Sequence, residues 1–216
     1  YLKQTYLDNI MRGGLPITFA SSSSFRRTSF YLYSRKHGDL ERDYNKFQVQ
    51  PTYFSQGNGN YRDVNQNRRN DVWFNPSIHD ETIISFFNLL QADGFNPLVV
   101  KGETFVVEEF SPLTAVLMRF FQEKDRPEVR EFLAHPFSPG ELIFFIEERS
   151  IALGGSYDEL LNELMPYAVK YQDAEHGEGF WTDHWTYTLD SLERYLSLYP
   201  EELKTLFFGK KVFTYY

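Results

Sequence analysis

The chain has no cysteine, no apolar run long enough to cross a bilayer and no excess of positive charge. The first absence excludes disulfides and thiolate metal ligation, while leaving the redox compartment open. The second excludes a helical membrane span, and residues 1–30 lack the charged-then-apolar pattern of a secretory leader, so no membrane partner and a cytoplasmic location are expected. The third rests on 22 Lys and Arg against 30 Asp and Glu, a net charge of −8. Nucleic acid is an unexpected partner for such a chain, because neutralising phosphates requires a dominant basic surface. No short-period repeat of solenoid type is present, and the spacing of His176, Asp183 and His184 fits no metal-ligand pattern, so no metal or other cofactor is expected.

What is abundant is apolar and aromatic: 42% hydrophobic residues and 18% aromatics, mostly 21 Phe and 15 Tyr, over 216 residues. That composition folds, and the length suits one domain with a real core. From Ser77 onward the pattern is cap, helix, stop. Ser77–Asp80 precedes an apolar face of Ile83, Phe86, Phe87 and Leu90, closed by Asp93-Gly94. Ser111-Pro112 offers a capping hydroxyl before a helical proline. Ser138–Glu141 and Ser156–Glu159 both read as capping boxes, with Gly154-Gly155 expected to end the first of these helices. A last helix carries Leu189, Leu192, Leu196 and Tyr199 on one side and stops at Pro200.

The N-terminal part differs, with a helix expected over Leu2–Met11, four serines at Ser21–Ser24 and a strand over Thr28–Tyr33. Val99–Val107 reads as a short β-hairpin turning at Lys101-Gly102. Pro51–Asn75 is polar and Gly/Asn-rich, the signature of a long functional loop. The fold class expected is mainly α with long loops and a short β-hairpin. The chain begins at Tyr1 without an initiator methionine, so it reads as a piece of a longer polypeptide.

Two stretches concentrate unusual chemistry. Gly57–Trp73 mixes Arg62, Asp63, Asn65, Gln66, Asn67, Arg68, Arg69 and Asp71 with Tyr61 and Trp73. Carboxylates and amides pair with adjacent sugar hydroxyls, Arg adds rigid donors, and aromatic faces stack on the C–H side of a sugar ring. The same Asn and Asp side chains also suit a loop that only holds its own turns. In the second stretch, Gly177–Trp185, Thr182 or Asp183 reads first as the N-cap of the following helix, and the alternative is an Asp183 carboxyl whose flanking Trp181 and Trp185 favour its protonated form, as a general acid requires. Arg26-Arg27 after four serines suits either phosphate binding or a solvated basic turn.

Taken in order, the two stretches resemble a known pair. Tyr61-Arg-Asp-Val-Asn-Gln-Asn67 resembles the F/Y-R-D-x-x-Q-D motif at the −1 sugar site of the cellobiose phosphorylase family of inverting glycoside phosphorylases. Trp181-Thr-Asp183 looks like that family's W-N-D motif, whose Asp is the general acid, and the aspartates lie 183 − 63 = 120 residues apart. The wording from Ser55 to Arg69 is closest to the β-1,3-glucan (oligoglucan) phosphorylases. The resemblance implies that residues 1–216 are a fragment of one (α/α)6-barrel catalytic domain in a larger enzyme, with further phosphate ligands beyond the general acid and a homodimer when full length. It implies Asp183 as catalytic acid and Arg62, Asp63, Gln66, Asn67, Asp71, Trp181 and Trp185 around the sugar. Arg26, Arg27, Arg68, Arg69 and His184 are the local candidates for phosphate. Asn67 stands where the family motif has Asp, and His184 where it has a small residue.

The implied reaction is inverting phosphorolysis of a β-linked glucan to α-glucose 1-phosphate, with inorganic phosphate as co-substrate. Phosphate is already anionic and attacks without a second carboxylate, whereas an inverting hydrolase needs one to activate water. An inverting hydrolase, with Asp63, Asp71 or Glu178 as base, and a noncatalytic glucan-binding module remain the rivals.

Overall fold

The structure is a computed structural model that describes residues 15–24, 26–32, 53–54, 59–177 and 182–216. The expected helix over Leu2–Met11 lies outside them. Within the described residues the chain is mainly α, with eight α-helices and two small antiparallel sheets. No helix among them is long and apolar enough to cross a membrane.

Strands β1 (Leu15–Ala20) and β2 (Arg27–Leu32) pair as a hairpin with Ile17 opposite Phe30. The second sheet has the order β3 (Gly59–Asn60), β4 (Val99–Val106), β5 (Val169–Glu175), antiparallel throughout. The hairpin expected over Val99–Val107 is instead the single strand β4, and Lys101-Gly102 is an irregularity in its pairing with β5 between Val100 and Glu103. Strict alternation from buried Val100 would turn residues 102 and 104 inward. Three steps on β4 from Val100 to Glu103 match only two on β5, and this one extra residue shifts the phase, so Glu103 and Phe105 are buried. Glu103 then accepts the Tyr31 amide of β2 at 3.0 Å and faces the Lys170 ammonium of β5 at 3.7 Å.

Most of the apolar core lies under four helices after β4. They are α4 (Thr114–Phe120), α5 (Arg126–Leu133), α6 (Pro139–Glu148) and α7 (Tyr157–Leu164), closing over Phe30, Phe105 and Phe137. Both capping boxes form: Ser138 and Ser156 accept the amides of Glu141 and Glu159, whose carboxylates accept the serine amides at 2.7 and 2.9 Å. The cap expected at Ser111-Pro112 does not, because Ser111–Leu113 make a turn and α4 starts at Thr114 with no side-chain cap. The helix α6 ends at Glu148, ahead of the expected Gly154-Gly155 stop. Ser150 takes φ 52° and the Ile151 amide reaches back to the Ile146 carbonyl at 3.0 Å. Gly154 has a different task, donating to the Phe120 carbonyl at 2.9 Å where a Cβ would sit 2.5 Å from the Arg119 oxygen.

The polar stretch read as a loop is regular from Gly59 on: β3 leads into α1 (Tyr61–Arg68), then α2 (Asp71–Phe74) and α3 (Glu81–Phe87). Asn60 caps α1 by accepting the Arg62 amide at 3.1 Å, with Asp63 in the first turn and Arg68 in the last. Its buried residues are Tyr61, Val64, Asn65 and Arg68, a helical stripe written half in polar letters. The long helix α8 (Thr182–Leu198) ends before Pro200, as expected, but buries His184, Thr188, Ser191 and Tyr195 while Leu189 is exposed. Leu192, Leu196 and Tyr199 pack at its flank against Val72, Ile83 and Leu206.

Candidate functional site

Helices α1 and α8 lie side by side and parallel, because their contacts keep a constant offset. Arg62 Nε meets Asp183 Oδ2 at 2.6 Å, and Arg69 Nη1 meets Asp190 Oδ2 at 2.6 Å, each pair 121 residues apart. The Trp73 indole N–H donates to the Arg194 carbonyl at 3.2 Å at the same spacing. An antiparallel pair would show offsets that change by twice the step along one helix. Beneath this half-exposed charged rail runs a second, buried one: the Asn65 amide donates to the Thr188 hydroxyl at 2.9 Å, and the Tyr61 ring lies 5.1 Å from the His184 ring. The residues of the two expected motifs therefore meet, with Asp183 in the first turn of α8.

Polar groups here are incompletely matched. Asp183 Oδ1, His184 Nδ1 and Asn65 Oδ1 are buried and find no hydrogen-bond partner among the described residues, so a polar ligand or water gains full hydrogen-bonding value on reaching them. Burial disfavours the charge on Arg62, but Asp183 beside it prevails and raises its pKa. His184 moves the other way, mainly because desolvation penalises the imidazolium. Burial also pushes the Tyr61 phenol up, opposed by the neighbouring Thr188 and Asn65 side chains.

Deeper in, Arg68 is buried with Nε 3.3 Å from Asp71 Oδ2 and its guanidinium 5.7 Å from the Tyr31 ring centre. Burial pushes the Asp71 carboxyl up to about 6, although Arg68 opposes the shift. A cavity with room for about one water molecule lies between Arg68, His79, Thr82, Ser191 and Tyr195.

The other expected site residues are more dispersed. Asp63 and Gln66 are half-buried on α1, and Trp185 is half-buried on α8. Asn67 is exposed, and its amide donates to the Asp63 carbonyl at 2.7 Å. Trp181 lies outside the described residues. Arg26 stacks over the Tyr167 ring at 5.0 Å, and Arg27 faces Asp80 at 3.7 Å. The serines before them already surround an anion: the Glu163 carboxylate of α7 accepts the Ser21 hydroxyl at 2.7 Å, the Ser22 amide at 2.9 Å, the Ser22 hydroxyl and the Ser23 hydroxyl at 3.1 Å. These bonds outweigh desolvation and hold Glu163 down to about 2. The serine run is thus a carboxylate cradle, with no second anion needed to explain it.

Tyr187, Thr188, Asp190 and Arg194 were not expected in the site. Their signal is the spacing of Asp183, Tyr187, Asp190 and Arg194, which places four polar or aromatic residues on one helical face. Among the described residues no group of three or more His, Asp or Glu is placed to hold a metal ion. Comparison with protein-family models, curated proteins and solved structures finds no match.

Proposed function

We propose that the α1–α8 face is the acid side of a glycoside phosphorylase active site, which cleaves a β-linked glucan, best a β-1,3-oligoglucan, with inversion. The observation that carries this reading is the 2.6 Å contact of Arg62 with Asp183, which joins two motifs 121 residues apart. The parallel packing of α1 and α8 adds support, since neighbouring inner helices of an (α/α)6 barrel run that way. In this reading the chain is part of such a barrel within a longer, dimeric enzyme.

In the reaction, a phosphate oxygen attacks the anomeric carbon and the bond from that carbon to the glycosidic oxygen breaks. The electron pair goes to the leaving oxygen, which takes the Asp183 proton, giving α-glucose 1-phosphate and a shortened glucan. Asp183 is left as carboxylate and is reprotonated from solvent. The resting contact with Arg62 joins opposite charges, whereas the acid must carry a proton. Substrate and phosphate therefore have to draw Arg62 off Asp183, and Arg62 is then free to face the phosphate. Arg69 lies two helical turns further along the same face, paired with Asp190.

Sugar release by the full-length enzyme, followed with and without inorganic phosphate, tests the reading. Wild type is expected to release glucose 1-phosphate only with phosphate, and Asp183→Asn to lose at least the ~100-fold typical of a missing general acid. Retained activity in Asp183→Asn sinks the proposal. Phosphate-independent release identifies a hydrolase, and glucan binding without turnover in wild type identifies a noncatalytic module.

A further inference from the structure

Tyr187 lies one helical turn after Asp183, on the same side of α8, and is half-buried. In a helix a long side chain leans toward the N-terminal turn, so the phenol is carried back to the level of Asp183. There its oxygen accepts a hydrogen bond from Arg62, the same guanidinium that meets Asp183 Oδ2 at 2.6 Å. Its ring supports Arg69, whose guanidinium lies over it at 5.2 Å and is itself tied to Asp190 at 2.6 Å. The phenol is braced on its face while its hydroxyl holds Arg62.

Arg62 thus has two partners of different kinds. Its contact with Asp183 joins opposite charges, and it must open before Asp183 can carry the proton that the leaving oxygen takes. Its bond to Tyr187 goes to a neutral hydroxyl, and no step of the reaction requires it to break. An arginine released from its only partner regains its rotamer freedom, and an incoming anion has to order it again. With Tyr187 retained, the guanidinium instead turns about a fixed point. We infer that Tyr187 is a positioning residue that keeps Arg62 at the site as it leaves Asp183, so that one arginine serves the carboxylate at rest and inorganic phosphate during the reaction. This rests on the glycoside phosphorylase reading for the identity of the anion. Tyr187 acts through Arg62 and not on the sugar.

The test is the kinetic signature of Tyr187→Phe in the full-length enzyme, since this variant keeps the ring under Arg69 and removes only the hydroxyl. KM for inorganic phosphate should rise about tenfold, the scale of one lost hydrogen bond to a charged group, while KM for a β-1,3-oligoglucan stays at its wild-type value. At saturating phosphate the rate should return most of the way to wild type, because the bound anion then holds Arg62 by itself. An unchanged phosphate KM overturns the inference, and so does an equal rise in both KM values, the mark of a loosened helix pair. Calorimetric titration with inorganic phosphate completes a double-mutant cycle: Tyr187→Phe should weaken binding in the wild-type background and add nothing to Arg62→Gln. A further loss on top of Arg62→Gln means that Tyr187 does not act through Arg62, and overturns the inference too. If wild type gives no glucose 1-phosphate from any β-glucan, the phosphorylase reading fails and takes this role with it. Normal wild-type phosphorolysis with an unchanged phosphate KM in Tyr187→Phe removes the role of Tyr187 alone.

Discussion

Two buried carboxylates in this protein are treated in opposite ways. Glu163 sits where α7 meets the serine run after β1, accepts bonds from three consecutive serines and is held down to about 2. Asp71, at the start of α2, has Arg68 at 3.3 Å as its ion-pair partner, and burial pushes it up to about 6. The first is a finished joint in which every lone pair is used. The second is an expensive arrangement kept next to the α1–α8 face, where Asp183, His184 and Asn65 also carry unmatched buried atoms. The two regions thus differ in how completely their polar groups are satisfied, and an unmatched buried group costs stability unless something else is gained from it.

The comparison can be broken first at Asp71. Asp71→Asn leaves Arg68 buried without a counter-charge and should cost about 3 kcal/mol at pH 8 in denaturant unfolding. A carboxyl with a raised folded pKa binds its proton more tightly when folded. Wild type should therefore lose stability as pH rises from about 4 to about 6, while Asp71→Asn stays flat over that range, so its deficit grows as pH falls below 6. A deficit that does not change with pH would place the strain elsewhere.

Glu163→Gln, measured in the same way at pH 7, should cost about 2 kcal/mol through the loss of charged hydrogen bonds. Its pH dependence has the opposite sign. The stability supplied by Glu163 is fully present above its unfolded value of 4.5 and disappears as pH falls toward about 2. A deficit already shrinking at pH 6 would contradict the cradle.

A double-mutant cycle on Asn65→Ala and Thr188→Val should return a coupling of about 1 kcal/mol for the buried rail. Independent effects would show that this bond does not register the two helices. The smallest effect is expected from Asn67→Asp, which restores the letter of the family motif. Since the side chain is exposed and serves its own helix, stability should change by less than about 0.5 kcal/mol and sugar affinity should not change.

Much of the local architecture can be read directly from the chain. The boxes at Ser138 and Ser156 work because cap and partner are three residues apart, a distance that only local geometry sets. The same local rules mislead where a distant partner decides the outcome. Helix α1 looked like a loop because Asn65 and Arg68 occupy its buried stripe, and α8 looked rotated because Thr188 and Ser191, not its leucines, face inward. Asn65 and Thr188 are buried because each meets the other from 123 positions away, while Arg68 is met by Asp71 and Ser191 donates to the Tyr187 carbonyl. The serine run before Arg26-Arg27 suited a phosphate site or a solvated basic turn, whereas its partner is Glu163 of this same chain, which no local pattern announces. For the site, the residue types were legible, and the rail of Tyr187, Asp190 and Arg194 was not, since its meaning depends on Arg69 and Trp73 lying alongside.

The constant offset of 121 residues has a kinetic consequence. Contacts that close so long a stretch contribute heavily to contact order, and the entropy of closing it must be met before those contacts stabilise anything. The intervening capped helices and their apolar core can assemble from nearer neighbours, so the Arg62–Asp183 contact should be among the last to form and the first to open. The candidate catalytic centre then works as a reporter of completed folding: a partly folded chain would hold its core and its capping boxes yet have no acid in position.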